Sequence, residues 1–284
     1  MRWSRWIIGA LLPLFVACSA VRLSYEQGPV LAYWWLDGYA DFNAEQSPGV
    51  KAALEDWFAW HRASHLPDYA QALAAMGTLA VDKVTAPQVC AVIEGWQQRG
   101  ERAFERAVPA IAEQLRTLSP DQIRQIERQN QRKYKDAVAD YLQPDLALRQ
   151  KVNFERALDR AETMYGKLDE AQRRRFAADL IASPFNPEVW LNERSLRLAD
   201  TLRSLRQWQT ERSDAATVQA GLRRMSAELL QSPRADYRAY ASKLMAANCN
   251  LLATLHNSTS PAQRRHAVAQ LKGWEQDLRV LMAR

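Results

Sequence analysis

Two histidines, His61 and His65, lie four positions apart in a stretch with helical spacing. Two imidazoles at that spacing on one helix can share a zinc ion, and nearby aspartates could complete the set of ligands: Asp37, Asp56 and Asp68. A zinc-dependent protease needs a glutamate directly after the first histidine as its general base, but Arg62 stands there. We therefore favour two ordinary interhelical histidines and expect neither a metal nor a cofactor.

Aromatic side chains are concentrated in the same region, residues 33–69. Together with a few polar neighbours they form a candidate binding surface, which comprises Trp34, Trp35, Asp37, Tyr39, Trp57, Trp60, His61, Arg62 and Tyr69. Tryptophan and tyrosine stack on sugars, anchor partner contacts and line membrane interfaces. The alternative is that these rings build the N-terminal core, because aromatic side chains supply a large buried area.

Motifs for covalent catalysis and phosphate binding are absent from the sequence. It holds no Gly-x-Ser-x-Gly nucleophile elbow and no glycine-rich phosphate loop. Glu26, Asp37 and Asp41 lie near the aromatic segment and are the best candidates for the acid of a sugar-cleaving enzyme. We favour a protein that is not an enzyme. The alternative is a hydrolase of envelope glycans or lipids that uses this aromatic and acidic cluster.

The start of the chain has the pattern of a bacterial lipoprotein signal. Two arginines precede an apolar run, residues 7–17, which ends directly at Cys18. A basic start, a short apolar run and a small residue before the cleavage point describe a secretory signal. A transmembrane helix would need about 20 apolar residues. We expect residues 1–17 to be removed and Cys18 to carry acyl chains such as palmitate. Cleavage without lipidation is the alternative, because Phe15 replaces the leucine usual at that position.

A lipidated cysteine would place the mature chain in the cell envelope, since two or more acyl chains hold a protein stably at a bilayer. By similarity to other lipoproteins, Ser19 favours sorting to the outer membrane, on the side that faces the periplasm. The net charge of +6 is mild for 284 residues, and no concentrated basic stripe indicates a nucleic-acid partner. The expected partners are the membrane and an envelope protein or unfolded client. The oligomeric state is not encoded in any recognisable pattern.

Two further cysteines, Cys90 and Cys249, are present. In an oxidising compartment they can pair, and a disulfide that closes so long a loop would stabilise the fold by about 4–5 kcal/mol in the chain-entropy model. The alternative is two separate buried thiols that behave as small apolar side chains.

The elements that must position these residues are helices. Glycine is scarce, with 10 residues, and runs of β-branched residues are almost absent. The apolar spacing predicts an all-α fold, an antiparallel multi-helix bundle or elongated array of about nine to eleven helices. We expect a tether over residues 18–28 and a helical domain over 29–284, with 183–187 as the best candidate for a subdomain boundary. Short connections predict that helices adjacent in sequence pack antiparallel.

Five helix starts repeat one pattern, a capping residue followed three positions later by glutamine. These boxes are Asn43/Gln46, Thr85/Gln88, Ser119/Gln122, Asp169/Gln172 and Ser260/Gln263. In a capping box the first side chain accepts a hydrogen bond from the backbone N–H of the third helical residue, whose side chain reaches back to the N-cap N–H.

Two of the boxes follow a leucine, Leu118 and Leu168, and resemble the Leu-Thr-x-x-Gln repeats of the periplasmic Spy/CpxP family of helical chaperones and stress regulators. The match covers about residues 118–180, and both copies lack the threonine. The resemblance implies a cradle whose basic concave face holds unfolded clients. Plain helix capping is the alternative interpretation of the same residues.

A second resemblance rests on the segments Tyr33-Trp34-Trp35-Leu36-Asp37-Gly38-Tyr39, Trp60-His61-Arg62 and Leu66-Pro67-Asp68-Tyr69. These are similar to a family of proteobacterial lipoproteins known only as a domain of unknown function. The resemblance implies a helical envelope lipoprotein and supplies no activity, catalytic residue or cofactor. The sequence therefore predicts an anchored protein with a binding, chaperone-like or scaffold role.

Overall fold

A computed structural model describes residues 20–283. The predicted signal peptide and Cys18 lie outside this range. Within it the chain forms twelve α-helices and no strand, and a π-helical turn joins α3 to α4 without a break, which leaves eleven separate helical segments. The bounds are α1 (Ala20–Glu26), α2 (Gly28–Ala40), α3 (Gln46–Trp60), the π turn (His61–His65), α4 (Leu66–Leu79), α5 (Ala86–Arg116), α6 (Pro120–Tyr141), α7 (Leu146–Tyr165), α8 (Glu170–Ile181), α9 (Pro187–Glu211), α10 (Ala215–Leu230), α11 (Ala235–Ser258) and α12 (Pro261–Met282). The predicted all-α fold is confirmed.

The glutamine boxes explain where several helices begin, and all five form. At the start of α6 the hydroxyl of Ser119 accepts the backbone N–H of Gln122, whose side-chain oxygen accepts the backbone N–H of Ser119 at 2.9 Å. Proline follows the cap at α6 and α12, where its missing N–H leaves no helical bond unmade.

The segment expected to be a tether contains a helix instead. α1 begins at Ala20, packs against α12 and leads into α2 after a single residue. The Nε of Arg22 donates to the carboxylate of Asp277 on α12 at 2.7 Å. From residue 20 onward the chain is therefore held to the body of the protein. α1 has no capping box to mark its start, which is why the sequence did not predict it.

Packing partners are mostly distant in sequence. The most extensive contact joins α4 to α12, followed by α5 with α10 and α11, and α6 with α9. The expectation that short connections pair successive helices is wrong for these contacts. A short loop limits where the next helix begins, but it does not decide which apolar face that helix covers.

Two hydrophobic clusters form the core. The larger joins α5, α6, α9 and α10 around Val108, Ile123 and Val218, and the smaller joins α7, α8 and α11 around Leu168 and Phe176. Where α9 meets α10, a Cβ on Gly221 would lie 2.2 Å from the Trp208 ring, so the close approach of the two helices requires glycine. The chain changes from one cluster to the other between α6 and α7, between α8 and α9 and again between α10 and α11, so the subdomain boundary at 183–187 stays a prediction.

Cys90 of α5 and Cys249 of α11 form a disulfide, with their Cα atoms 5.4 Å apart. Of the two alternatives for these thiols, the structure has the paired one. Cys249 is fully buried, so the bond lies inside the protein between two long helices. None of the helices in residues 20–283 is both long and apolar enough to cross a bilayer.

Candidate functional site

The two histidines lie on the π turn between α3 and α4, and Pro67 explains why that turn is there. Proline cannot donate to the carbonyl four residues earlier, and its ring crowds that carbonyl. The helix widens directly before it, so that the N–H of Leu66 donates to the carbonyl of His61, five residues back. This widening brings the rings of His61 and His65 to a centroid distance of 5.6 Å.

His61 is buried among aromatic rings. Its Nδ1 is hydrogen-bonded to the hydroxyl of Tyr25 on α1 at 2.8 Å, and its ring stacks on Trp57 at 4.6 Å between centroids. Burial, helped by the neighbouring His65, lowers the pKa of His61 to about 4. Burial also raises the pKa of Tyr25 to about 12. Both groups are therefore neutral around pH 7, and the pair is a packing element of α1 against the π turn.

His65 is buried as well, and neither of its ring nitrogens has a hydrogen-bond partner among the described residues. It packs against Trp60, with the ring centroids 4.4 Å apart. Burial and then the charge of Arg102 lower the pKa of His65. The nearby carboxylate of Asp68 is bound by Arg99 at 2.9 Å and by Arg102 at 2.7 Å. Although burial alone would raise it, these two guanidinium groups hold the pKa of Asp68 below its ordinary value.

Of the three aspartates proposed to complete a metal site, Asp68 and Asp56 are thus paired with arginine, and Asp37 accepts a backbone N–H. Within residues 20–283 no group of three or more histidine, cysteine, aspartate or glutamate side chains could hold a metal ion. The rings of Trp57, Trp60, His61 and Tyr69 instead pack on one another, and the indole of Trp57 donates to the carbonyl of Ala103 at 3.0 Å. This half of the predicted surface fastens α3 and the π turn to α5.

The other half faces outward. The side chains of Trp34 and Trp35 on α2 are 67% and 63% exposed. The ring of Trp35 lies 4.9 Å from that of Tyr39. The exposed positions of α2 are Val30, Leu31, Trp34, Trp35 and Gly38, and none of them is charged. We call this side of the helix the α2 face. Helices of soluble proteins ordinarily turn their polar side to water, so the α2 face is unusual.

The remaining members of the predicted site have local structural roles. Asp37 accepts a hydrogen bond from the backbone N–H of Phe42 at 3.0 Å, and Asp41 ends α2 in the left-handed conformation, with φ 51°. The guanidinium of Arg62 lies 5.7 Å from the ring centroid of Tyr25. The structure therefore divides the predicted set between an internal cluster and the outward α2 face.

A large apolar cleft lies elsewhere, between α4, α5, α7, α8, α11 and α12, and Tyr141 of α6 and Trp190 of α9 also line it. Its volume is about 860 Å³, within the range of roughly 300–1,000 Å³ typical of small-molecule sites. Apolar side chains from distant parts of the chain form its walls, among them Val89, Ile93, Met164, Leu244, Leu251 and Leu255. The disulfide joins α5 to α11, two helices that both line the cleft.

The polar groups at one side of the cleft satisfy one another. The Nε2 of His256 lies 2.7 Å from the carbonyl of Asp82 and must donate to it, so its Nδ1 accepts from the hydroxyl of Tyr165 at 3.0 Å. Burial lowers the pKa of His256 and raises the pKa of Tyr165 to about 12. This part of the cleft is therefore uncharged around pH 7.

The charged side chains that line the cleft, within the described range, are Arg156 and Arg160 of α7. Neither arginine forms an ion pair with any of the described residues. The guanidinium of Arg156 lies 4.1 Å from the ring centroid of Tyr141. Arg160 is exposed. The cleft thus combines an apolar interior with positive charge on a single wall.

Sequence reasoning did not find this cleft, because residues from eight helices that are spread along the chain line it. One signal was present in α7. Its residues Asn153, Arg156, Arg160 and Met164 recur at helical spacing on one face, but an arginine stripe is ordinarily a solvated helix face. Only the packing of α4, α11 and α12 around the same space shows that this arginine stripe borders an apolar cleft.

Comparison with known families gives a match. The model of a family of unknown function (DUF6279) matches residues 38–238. The chain belongs to this family. The DUF6279 match includes the π turn and all of α7, whereas Trp34, Trp35 and Cys249 lie outside it. No curated protein and no solved structure matches the chain.

Proposed function

We propose that the protein is a non-catalytic binding protein of the bacterial envelope, lipid-anchored through Cys18, which holds a hydrophobic ligand in the cleft between α4, α5, α7, α8, α11 and α12. The observation that carries this proposal is the cleft itself, about 860 Å³ in volume with walls of predominantly apolar side chains. Transfer of apolar surface from water into such a site is favourable by about 25 cal/mol per Å².

The geometry of the walls supports binding of a ligand in a preformed site. The buried bond between Cys90 and Cys249 holds α5 and α11 together, so the cleft does not depend on these helices closing around a ligand. A site that is ordered before binding costs less conformational entropy when it is occupied.

The membrane anchor is supported by the sequence around Cys18 and by the position of the α2 face. α1 begins two residues after Cys18 and continues into α2, which carries the exposed side chains of Trp34 and Trp35. Tryptophan is enriched where a protein meets the headgroup level of a bilayer. In this proposal the acyl chains of Cys18 insert into the outer membrane, and the α2 face rests on its periplasmic surface.

Binding without catalysis agrees with the polar groups near the cleft. His256 and Tyr165 are hydrogen-bonded to each other and uncharged around pH 7. Asp37, which the hydrolase alternative invokes together with Asp41, accepts the backbone N–H of Phe42, and Asp41 is the residue at which α2 ends. No observation on the described residues favours that alternative, and it stays a prediction.

The proposal is tested by photolabelling membranes from cells that produce the full-length chain. A photoactivatable analogue of hexadecanol is added, the sample is irradiated, and the labelled peptides are identified by mass spectrometry. We expect labels on peptides of α5, α7 and α11.

Leu252→Asp, which places a charge at a half-exposed position of the wall, should reduce this labelling at least fivefold. Leu229→Asp changes an exposed leucine of α10 outside the cleft and serves as the matched control. Labelling that avoids the cleft, or that Leu252→Asp leaves unchanged, would refute the proposal.

The anchor has its own test. Mass spectrometry of the protein from its native host should find residues 1–17 removed and Cys18 acylated, and Cys18→Ser should release the chain from the membrane. An intact leader or an unmodified cysteine would remove the anchor and the assigned location.

A further inference from the structure

We infer that the cleft takes an anionic amphiphile with a single acyl chain, whose carboxylate or phosphate head binds Arg156 and Arg160 while its chain occupies the apolar interior. This inference rests on the proposed function, because it names the chemical class of the ligand for the same site. Three features of the cleft carry it: the sign of its charge, the placement of that charge and the shape of the wall beneath it.

The first feature is unbalanced positive charge. Among the described residues Arg156 and Arg160 are the charged groups that line the cleft, and no aspartate or glutamate lines it. Many other arginines of the protein pair with carboxylates, as Arg99 does with Asp68 and Arg223 with Glu105. A cationic ligand would meet repulsion here, whereas an anionic head finds two guanidinium groups that form no ion pair with any residue in the range 20–283.

The second feature is the arrangement of donors along α7. Asn153, Arg156 and Arg160 lie at positions i, i+3 and i+7 and so share one face of the helix. Successive turns are about 5.4 Å apart, which lets two neighbouring guanidinium groups reach the oxygens of one head. Guanidinium binds carboxylate and phosphate through paired N–H donors. The aromatic ring of Tyr141 restricts Arg156, which lies over it at 4.1 Å.

The third feature is the wall next to these donors. On the same face of α7 the residues Ala157 and Ala161 are small, and Met164 follows them one turn further along the helix. Leu244 and Leu251 of α11 also line the cleft. Small residues beside the arginines leave space for an unbranched chain, and the flexible thioether of methionine adapts to its position. The cleft thus offers a charged contact and apolar wall side by side, as an amphiphile requires.

The experiment uses the same membranes with the full-length chain, so that the protein is studied as it exists. Photoactivatable palmitate and photoactivatable hexadecanol are compared as probes that differ in their head group. Unlabelled palmitate, palmitoyl lysophosphatidate and hexadecanol are the competitors. We expect the palmitate probe to label α7 and α11, and both anionic competitors to displace it at least tenfold better than hexadecanol. The stronger of the two anionic competitors identifies the head group as a carboxylate or a phosphate.

The variants separate the head group from the chain. Arg156→Gln combined with Arg160→Gln should reduce labelling by the palmitate probe roughly tenfold and leave labelling by the hexadecanol probe unchanged. Arg132→Gln, which alters an exposed arginine of α6 outside the cleft, should change neither. Arg160→Gln alone changes an exposed side chain that forms no ion pair with the described residues, so it should leave the fold intact. If the double variant does not fold, this single variant tests whether the head group binds arginine.

The outcomes distinguish this inference from the proposed function. Equal labelling by both probes, or palmitate labelling that resists Arg160→Gln, would overturn the inference and leave the cleft as a site for neutral or polypeptide ligands. Failure of both probes to label the cleft peptides would overturn the two together. Salt screens partly exposed charge pairs. A higher salt concentration that lowers labelling by the palmitate probe, but not by the hexadecanol probe, would therefore support the ionic contact.

Discussion

The side chains of Gln46 and Gln122 bind each other: the Nε2 of Gln122 donates to the Oε1 of Gln46 at 2.7 Å, and the reverse bond measures 3.3 Å. Each glutamine also closes its own capping box and donates to a backbone carbonyl beside the other box, Thr117 for Gln46 and Asp41 for Gln122. These hydrogen bonds hold the N-terminus of α3 against the N-terminus of α6.

The same arrangement occurs a second time. Gln172 and Gln263 exchange hydrogen bonds of 2.8 and 2.9 Å and donate to the carbonyls of Ser258 and Lys167. The two pairs join α3 to α6 and α8 to α12. The motif that resembles Leu-Thr-x-x-Gln repeats is therefore a device that locks pairs of helix starts together, in addition to capping each helix.

Gln122→Ala should lower the free energy of unfolding by about 2–3 kcal/mol, because it removes the bonds to the side chain of Gln46, the donor to the carbonyl of Asp41 and the box bond to Ser119. Urea unfolding followed by circular dichroism measures the change. Gln88→Ala is the matched control, since Gln88 is exposed and bonds within its own box. It should cost about 0.5–1 kcal/mol. Equal losses for the two variants would show that the pairing adds nothing to capping.

Replacing Cys90 and Cys249 together with alanine should destabilise the fold by about 4–5 kcal/mol, because the bond closes a loop with a sequence separation of 159. Urea unfolding of the native protein with and without dithiothreitol measures the same quantity. The reductant should lower the stability of the native protein and leave the double variant unaffected. A native protein as stable with reductant as without it would contradict this expectation.

Acid should destabilise the protein through His61. Its pKa is about 4 in the folded state and 6.5 in the unfolded chain, so the unfolded state binds more protons between these values. The stabilising contribution is complete above pH 6.5 and is lost as the pH falls towards 4, with a loss of roughly 2 kcal/mol by pH 5. The buried His65 and His256, whose pKa values are also lowered by burial, act in the same direction.

Unfolding free energies at pH 7.5 and pH 5 for His61→Gln test this directly. The variant should lose less stability than the native protein between the two pH values. His266→Gln alters an exposed histidine and serves as the matched control. If His61→Gln kept the full loss, the acid sensitivity would have to come from other groups.

Trp34 and Trp35 should lie at the bilayer in the anchored protein. In vesicles whose lipids carry brominated acyl chains, bromine quenches tryptophan fluorescence at short range. The full-length chain should lose much of its quenching when both residues are changed to phenylalanine. Trp57→Phe alters an indole that packs inside the protein and should not change the quenching. Unchanged quenching in the double variant would place the α2 face away from lipid.

The local features of this fold could be read from the sequence because they depend on short-range chemistry. The box of Ser119 and Gln122 marked the start of α6, and that of Asp169 and Gln172 marked the start of α8. Their hydrogen bonds join residues three positions apart, so no knowledge of the tertiary packing is needed.

The candidate site could not be predicted in this way. Arg156 and Leu251 face one cleft although they lie on α7 and α11, and nothing in their spacing records which helices meet. Tyr25 lay in the expected tether, yet it is bonded to His61. The contact between α4 and α12 likewise depends on the shapes of two apolar faces and not on the loops that precede them.

The contact of α4 with α12 also sets an order of events during synthesis. α4 emerges from the ribosome long before α12, and its residues Leu66, Ala70 and Leu73 are buried in the finished protein. Until the last helix arrives, that apolar side has no cover, and α1 has no Asp277 to bind. A chain truncated before residue 261 would therefore leave its first third incompletely packed, even if the helices between α4 and α12 were correctly folded.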